Sequence, residues 1–180
     1  MKIRFTVFFV AICLAMSASA GLEKIAAVCN QKICFHWWPK LPTIEGWRHD
    51  RDYSLHYNFN ALAPVGISFS IAETVMYSNA IYRPRVPDDR TLEQFIDGDT
   101  KKFRDTNPGL KIEETLPLKT GDAKVVRSFV LIPTASGQWE RVSYLEEGDY
   151  YVVFVVSSRS ESGLNAAMFA YEKLVANYRE

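Results

Sequence analysis

Cys29, Cys34 and, two residues further on, His36 stand beside Trp37, Trp38 and Trp47 in the part of this chain best equipped for chemistry or recognition. Two thiols so close in the chain can close a disulfide, or can join His36 and His49 around a soft cation. The spacing matches no zinc pattern, and sulfurs already bonded to each other cannot coordinate as thiolates. A structural Cys29–Cys34 disulfide is therefore the expectation, with no metal and no cofactor. Closing so short a loop contributes about 2 kcal/mol in the chain-entropy picture. The C-x-x-C spacing usual for redox catalysis is absent. The three tryptophans lie around Pro39 and Pro42, and large aromatics in such a segment either anchor a partner or wrap the segment onto its own domain. His36, Trp37, Trp38 and Trp47 are accordingly the partner-binding candidates.

Other reactive sets are thin. Gly66-Ile67-Ser68-Phe69-Ser70 opens like a nucleophile elbow but lacks its closing glycine. His49 and His56 lie seven apart on an expected strand, which puts them on opposite faces and keeps them from sharing a metal. Glu146, Glu147 and Asp149 cluster at an expected hairpin tip, where carboxylates are solvated; acid–base work needs them in a cleft with unequal environments. No spaced acidic series suits calcium, and phosphate-loop, dinucleotide and zinc-protease motifs are all missing. No catalytic residue emerges, so the chain reads as a non-enzyme. Tyr77, Tyr82 and Tyr150 are candidates to line an apolar pocket, or else to pack on a sheet.

The compartment is written at the start. In residues 1–20, Lys2 and Arg4 precede an apolar run over 5–16, and Ala18-Ser19-Ala20 closes it as A-x-A. This predicts a secretory signal peptide cleaved after Ala20, with a run too short to span a bilayer. Cys13 would leave with it, and Ile12 argues against a lipoprotein because a small residue is expected there. The whole chain of 180 residues carries 21 basic and 21 acidic groups. Loss of Lys2 and Arg4 leaves a slight acidic excess, which disfavours nucleic acid as a partner. A mature chain of this size, with 48% hydrophobic residues overall, is expected to bury one core and to be periplasmic or secreted, without a transmembrane segment.

The elements that must position these residues follow from period and punctuation. Residues 21–46 read as an irregular arm, with a helical turn over 22–28 and then the cysteine loop. The domain proper is expected over 47–180. Alternation predicts strands over 52–59 and 66–72, and another over 76–83, closed by Pro84 and Pro87. Thr91-Leu92-Glu93-Gln94 fits a capping box ahead of a helix carrying Leu92, Ile96 and Phe103 on one side, stopped at Asn107-Pro108-Gly109. Strands are predicted over 112–118, 123–132, 139–146 and 150–156. The last is apolar on both faces, as suits the middle of a sheet. A final helix capped by Ser160 or Ser162 places Leu164, Ala167, Tyr171, Leu174 and Tyr178 in one stripe that should lie on the sheet. The fold class is α+β: an antiparallel sheet with a mid-chain helix and a C-terminal amphipathic helix packed on it.

That order of elements, with residues 66–71 as an early apolar strand, 91–103 as the first helix, Asn107-Pro108-Gly109, Leu118-Lys119-Thr120-Gly121, residues 141–144, 150–157 and the helix over 164–178, resembles the PsbP/Mog-type fold, including the DcrB-like exported bacterial proteins. The resemblance covers residues 47–180 and leaves out the cysteine arm. It implies an accessory, adaptor or assembly protein without shared catalytic residues, its partner a protein of the cell envelope. Two rivals stand beside that reading. One is a carrier for a small apolar ligand, held between the sheet and the C-terminal helix. The other is a hydrolase using scattered carboxylates.

Overall fold

A computed structural model describes residues 21–29, 31–134 and 137–180. The expected signal peptide lies outside the described residues. Elements run β1 (Leu22–Cys29), β2 (Lys32–Pro39), β3 (Trp47–His49), α1 (Arg51–Tyr57), β4 (Asn60–Pro64), β5 (Thr74–Tyr82), α2 (Leu92–Thr106), β6 (Lys111–Lys119), β7 (Val125–Ile132), β8 (Trp139–Glu147), β9 (Tyr150–Ser158) and α3 (Glu161–Asn177). Seven strands form one antiparallel sheet in the order β3-β4-β5-β9-β8-β7-β6, while β1 and β2 pair as a separate hairpin. After β5 the chain crosses through α2 to the far edge and returns as the meander β6 to β9. The last strand thereby lands beside β5, in the middle. Its apolar run fits that position: Tyr151 to Ser158 are all buried.

Alternate residues of β9 serve two cores. Val152, Phe154 and Val156 face α3 with Leu62, Met76 and Leu145, and the stripe Leu164, Ala167, Tyr171, Leu174 and Val175 closes on them. Tyr151, Val153 and Val155 face α2 with Phe129, Val142 and Tyr144, covered by Phe95 and Ile96. Sheet and two helical layers thus form an α+β sandwich. No helix of the described residues is long and apolar enough to cross a membrane.

Caps mark the helices as the sequence predicts. The Thr91 hydroxyl accepts from Gln94 N–H, and the Gln94 side chain accepts from Arg90 N–H, one residue before the cap position of an ideal box. Ser160, not Ser162, caps α3 by accepting from Gly163 N–H at 3.1 Å. Gly163 is required there, because a Cβ would collide with the Ser158 hydroxyl and stand 2.8 Å from that of Thr74.

Three expectations fail, each for a visible reason. Residues 22–28 are strand rather than helical turn, because β1 pairs residue by residue with β2, from Leu22 opposite Pro39 to Cys29 opposite Lys32. Pro39 is tolerated as the last residue of that two-stranded pair, where its missing N–H costs little. Residues 52–59 form helix α1 and its exit. Asp50 caps it at Tyr53 N–H, the Tyr53 ring packs at a tilt on Tyr57 one turn later with centres 4.4 Å apart, and Asn58 ends it in the left-handed conformation. The Tyr53, Leu55, Tyr57 alternation is thus overridden by capping at both ends. Residues 66–72 are turns rather than a strand, with the Phe69 N–H taken by Asp50 Oδ2 at 2.9 Å and Ile67 and Ile71 exposed. The early apolar strand expected over 66–71 is thus not formed; the strand that precedes these turns is β4, five residues long.

Candidate functional site

Hairpin register sorts the N-terminal residues onto two faces. Glu23, Ile25, Ala27 and Cys29 share one with Cys34, His36 and Trp38; Lys24, Ala26 and Val28 share the other with Ile33, Phe35 and Trp37. Cys29 lies opposite Lys32 and Cys34 opposite Ala27, so the cysteines are diagonal neighbours on one face. They are joined as a disulfide with Cα atoms 5.8 Å apart. His36 Nε2 stands 3.6 Å from Cys34 Sγ and 3.8 Å from Cys29 Sγ. His49 is elsewhere, in β3, its Nδ1 3.1 Å from Asn60 Oδ1. The four-residue cation set is thus divided: the structure brings Cys29, Cys34 and His36 together, with the two sulfurs committed to each other. His56 lies in α1 against Tyr57, so the two outer histidines occupy different elements rather than opposite faces of one strand.

Packing fixes how the hairpin stands. Trp38 is only 4% exposed, stacks on His36 with ring centres 6.1 Å apart, and donates its indole N–H to Asn58 Oδ1 at 3.1 Å. Asn60 donates to the Pro39 carbonyl at 2.9 Å. Leu41 and Ile44, which follow the hairpin, belong to the core beneath α3, with Trp47 packed against it. Trp37 leans on Tyr150, which leans on Tyr82. Burial in that contact raises the Tyr150 phenol, and Tyr82 and Asp149 add to the rise. An open cavity of about 630 Å³ lies there, between hairpin and sheet, walled by Lys24, Phe35, Trp37, Tyr82, Arg85 and Tyr150. The Lys24 ammonium sits 4.2 Å from the centre of the Phe35 ring. Of the three tyrosines singled out in the sequence, Tyr82 and Tyr150 line this cavity. Tyr77 joins Tyr53, Phe59 and Phe69 under the opposite face.

The outer hairpin face keeps its apolar groups in water. Val28 is 81%, Ile33 73% and Phe35 56% exposed, and with Ala26, Ala27 and Leu55 the aliphatic pair borders a depression of about 550 Å³. Sequence reasoning misses this stripe because Val28, Ile33 and Phe35 fall in what reads as an irregular arm, where no face exists. Its signal is the alternation of Ile33, Phe35 and Trp37 with Cys34 and His36, a pattern that suits a strand.

The acidic groups depart from the solvated turn that their spacing predicts. Glu147 is buried, its carboxylate accepting from the Tyr178 hydroxyl, whereas Glu146 pairs with Arg83 on the surface. Beneath α2, burial raises the carboxyls of Asp99 and Glu140, the Tyr144 hydroxyl (which donates to Asp99 at 2.9 Å) and Ser157 respectively working against the rise. Both were readable: Asp99 falls three residues after Ile96 and four before Phe103, on the apolar stripe of α2, and Glu140 shares its strand face with Val142 and Tyr144. The space between sheet and α3, where the rival carrier reading would seat its ligand, is filled by Tyr171, Phe154, Tyr178 and Leu174.

No family model matches the chain, and no curated protein does. Among solved structures it is similar to a protein of unknown function from Pseudomonas aeruginosa, 8% identical, with a TM-score of 0.46 over 84% of this chain and 92% of that one. A likeness of that degree assigns neither fold nor function.

Proposed function

We propose that this is an exported, non-enzymatic binding protein, an adaptor or assembly module of the cell envelope, that engages a protein partner through the outer face of its N-terminal hairpin. The observation carrying this reading is the stripe Val28, Ile33 and Phe35, held in water on a hairpin braced by the disulfide and by buried Trp38. An apolar strand pair already formed and closed by a disulfide loses less conformational entropy on docking than an unstructured segment would, which suits a recognition element. Buried Trp38 roots the hairpin, and Trp37, on the same face as Ile33 and Phe35, continues the surface toward Tyr150 on the sheet. The disulfide fits an oxidising compartment, as the A-x-A signal does. The PsbP/Mog-type resemblance, whose members work by binding, supports the same class.

Replacing Val28, Ile33 and Phe35 together by Ser should abolish capture of a partner from an envelope extract by cross-linking and pull-down, while lowering the melting temperature by no more than about 5 °C, because each of these side chains is more than half exposed. Equal capture by the variant would remove the hairpin from the reading. A second reading follows from the open cavity beside Trp37: a small ligand with an anionic group could sit between Lys24 and Arg85 on the aromatic wall. Ligand binding there would quench Trp37 fluorescence and be lost in Trp37→Ala, which leaves the Val28–Ile33 stripe intact.

A further inference from the structure

Glu147 ends β8 with its side chain buried, only 6% of the residue being exposed, and its carboxylate accepts from Tyr178, the residue that caps the end of α3. Among the described residues no lysine, arginine or histidine forms an ion pair with it. Lys124 acts on it from the β6–β7 turn but pairs with Glu180, and Asp122 in the same turn opposes ionisation. A buried carboxylate without a paired cation is a costly arrangement. Gly21 lies against it. The glycine is itself buried and is held by its carbonyl, which accepts from Lys40 N–H at 2.8 Å. A Cβ built on Gly21 would overlap Glu147 Oε1 and stand 2.5 Å from the carboxyl carbon. Because a residue's nitrogen and Cβ share one Cα and lie about 2.5 Å apart, the Gly21 nitrogen is within about 5 Å of that carbon.

Within a continuous chain that nitrogen is a neutral amide. We propose that cleavage before Gly21 supplies the missing counter-ion: the new α-ammonium pairs with buried Glu147 and locks the base of the hairpin to β8 and to the end of α3 in the processed chain alone. The inference rests on the export reading, since the A-x-A signal puts the cut there. Hydrolysis adds one water across the Ala20–Gly21 bond. Ala20 departs with the carboxylate, and Gly21 retains an amine that is protonated at neutral pH. Maturation would therefore complete the fold at the root of the docking element.

The test compares two forms of the mature chain, one with the Gly21 amine free and one with it acetylated, each with Glu147 and with Glu147→Gln. With Glu147, acetylation should lower the melting temperature by about 5 °C or more; in Glu147→Gln, where the negative charge is gone, the difference should shrink below about 2 °C. Equal melts for the free and acetylated forms, or the same loss with and without the carboxylate, would overturn the pairing. Independently of any variant, pH-dependent labelling should show the Gly21 amine titrating above the ordinary range of an α-amine, about 7.7–8.0; a value inside that range would also overturn it. Intact mass of the protein from a periplasmic fraction separates the two claims. A first residue other than Gly21 fails the export reading whatever the melts show, and a start at Gly21 with equal melts fails the ion pair alone.

Discussion

Single side chains here do their work by being buried with or without a partner. Asp99 and Glu140 are carboxyls whose folded-state pKa is raised, chiefly by burial. A group of that kind favours the folded state fully below its unfolded pKa, near about 4, and the contribution is lost as pH rises through the folded value. Stability from these two should therefore grow as a buffer is taken from about pH 7 toward about pH 5. Glu140→Gln should flatten that gain while keeping the acceptor for Ser157, and the difference between wild-type and variant melting curves across this window isolates the effect. Identical slopes for the two proteins would show that Glu140 titrates as it does in the unfolded chain. Arg141 illustrates the opposite case. It is buried, yet its guanidinium reaches Glu172 at 3.2 Å and the Leu116 carbonyl at 3.1 Å, so its charge is matched from α3 and β6.

Between elements, the contact that fastens α3 to the sheet is polar inside an apolar shell. The Tyr171 hydroxyl donates to the Phe154 carbonyl at 3.0 Å and meets the Ser143 hydroxyl at 2.7 Å, which in turn meets Ser128 at 2.7 Å. Helix α3 is thus tied to β9, β8 and β7 through one buried chain of hydroxyls. Tyr171→Phe keeps the ring and leaves Ser143 without that partner, at a cost of about 1–3 kcal/mol. Urea unfolding should report a lower midpoint with an unchanged slope, since the surface exposed on unfolding stays the same. An unaltered midpoint would mean that Ser143 finds another partner at no cost. The docking hairpin is fastened differently, by Trp37 leaning on Tyr150 and by two side-chain amides, Asn58 accepting from Trp38 and Asn60 donating to the Pro39 carbonyl.

Over the whole molecule, two cores on either side of β9 share one sheet, whereas the hairpin stands outside it as a two-stranded pair. Local stability should follow that division. Backbone amides of β8 and β9 are expected to exchange slowest, near the global limit, and those of β1 and β2 fastest among the strands, with reduction of Cys29–Cys34 widening the gap. Hydrogen exchange read by mass spectrometry checks this, and hairpin protection equal to that of β9 would show that the two units open together. The amino-acid sequence by itself determined the elements whose signals are local: α2, announced by Thr91, α3, announced by Ser160 or Ser162, the strands expected over 112–118, 123–132, 139–146 and 150–156, the centrality of the last of them, and the nearness of Cys29 to Cys34. Caps, turn residues and apolar period act over a few residues, so they survive in one dimension. Where the sequence misleads, other partners decide: the Asp50 carboxylate caps the helix over residues 52–59 and takes the Phe69 N–H within 66–72, and strand β2 claims residues 22–28. Pairing of β1 with β2, the exposure of Val28, Ile33 and Phe35, the burial of Trp38 and Glu147, and the approach of Gly21 to that carboxylate belong to the folded molecule alone. A residue's surroundings are set by segments distant in the chain, and only packing brings those segments to it.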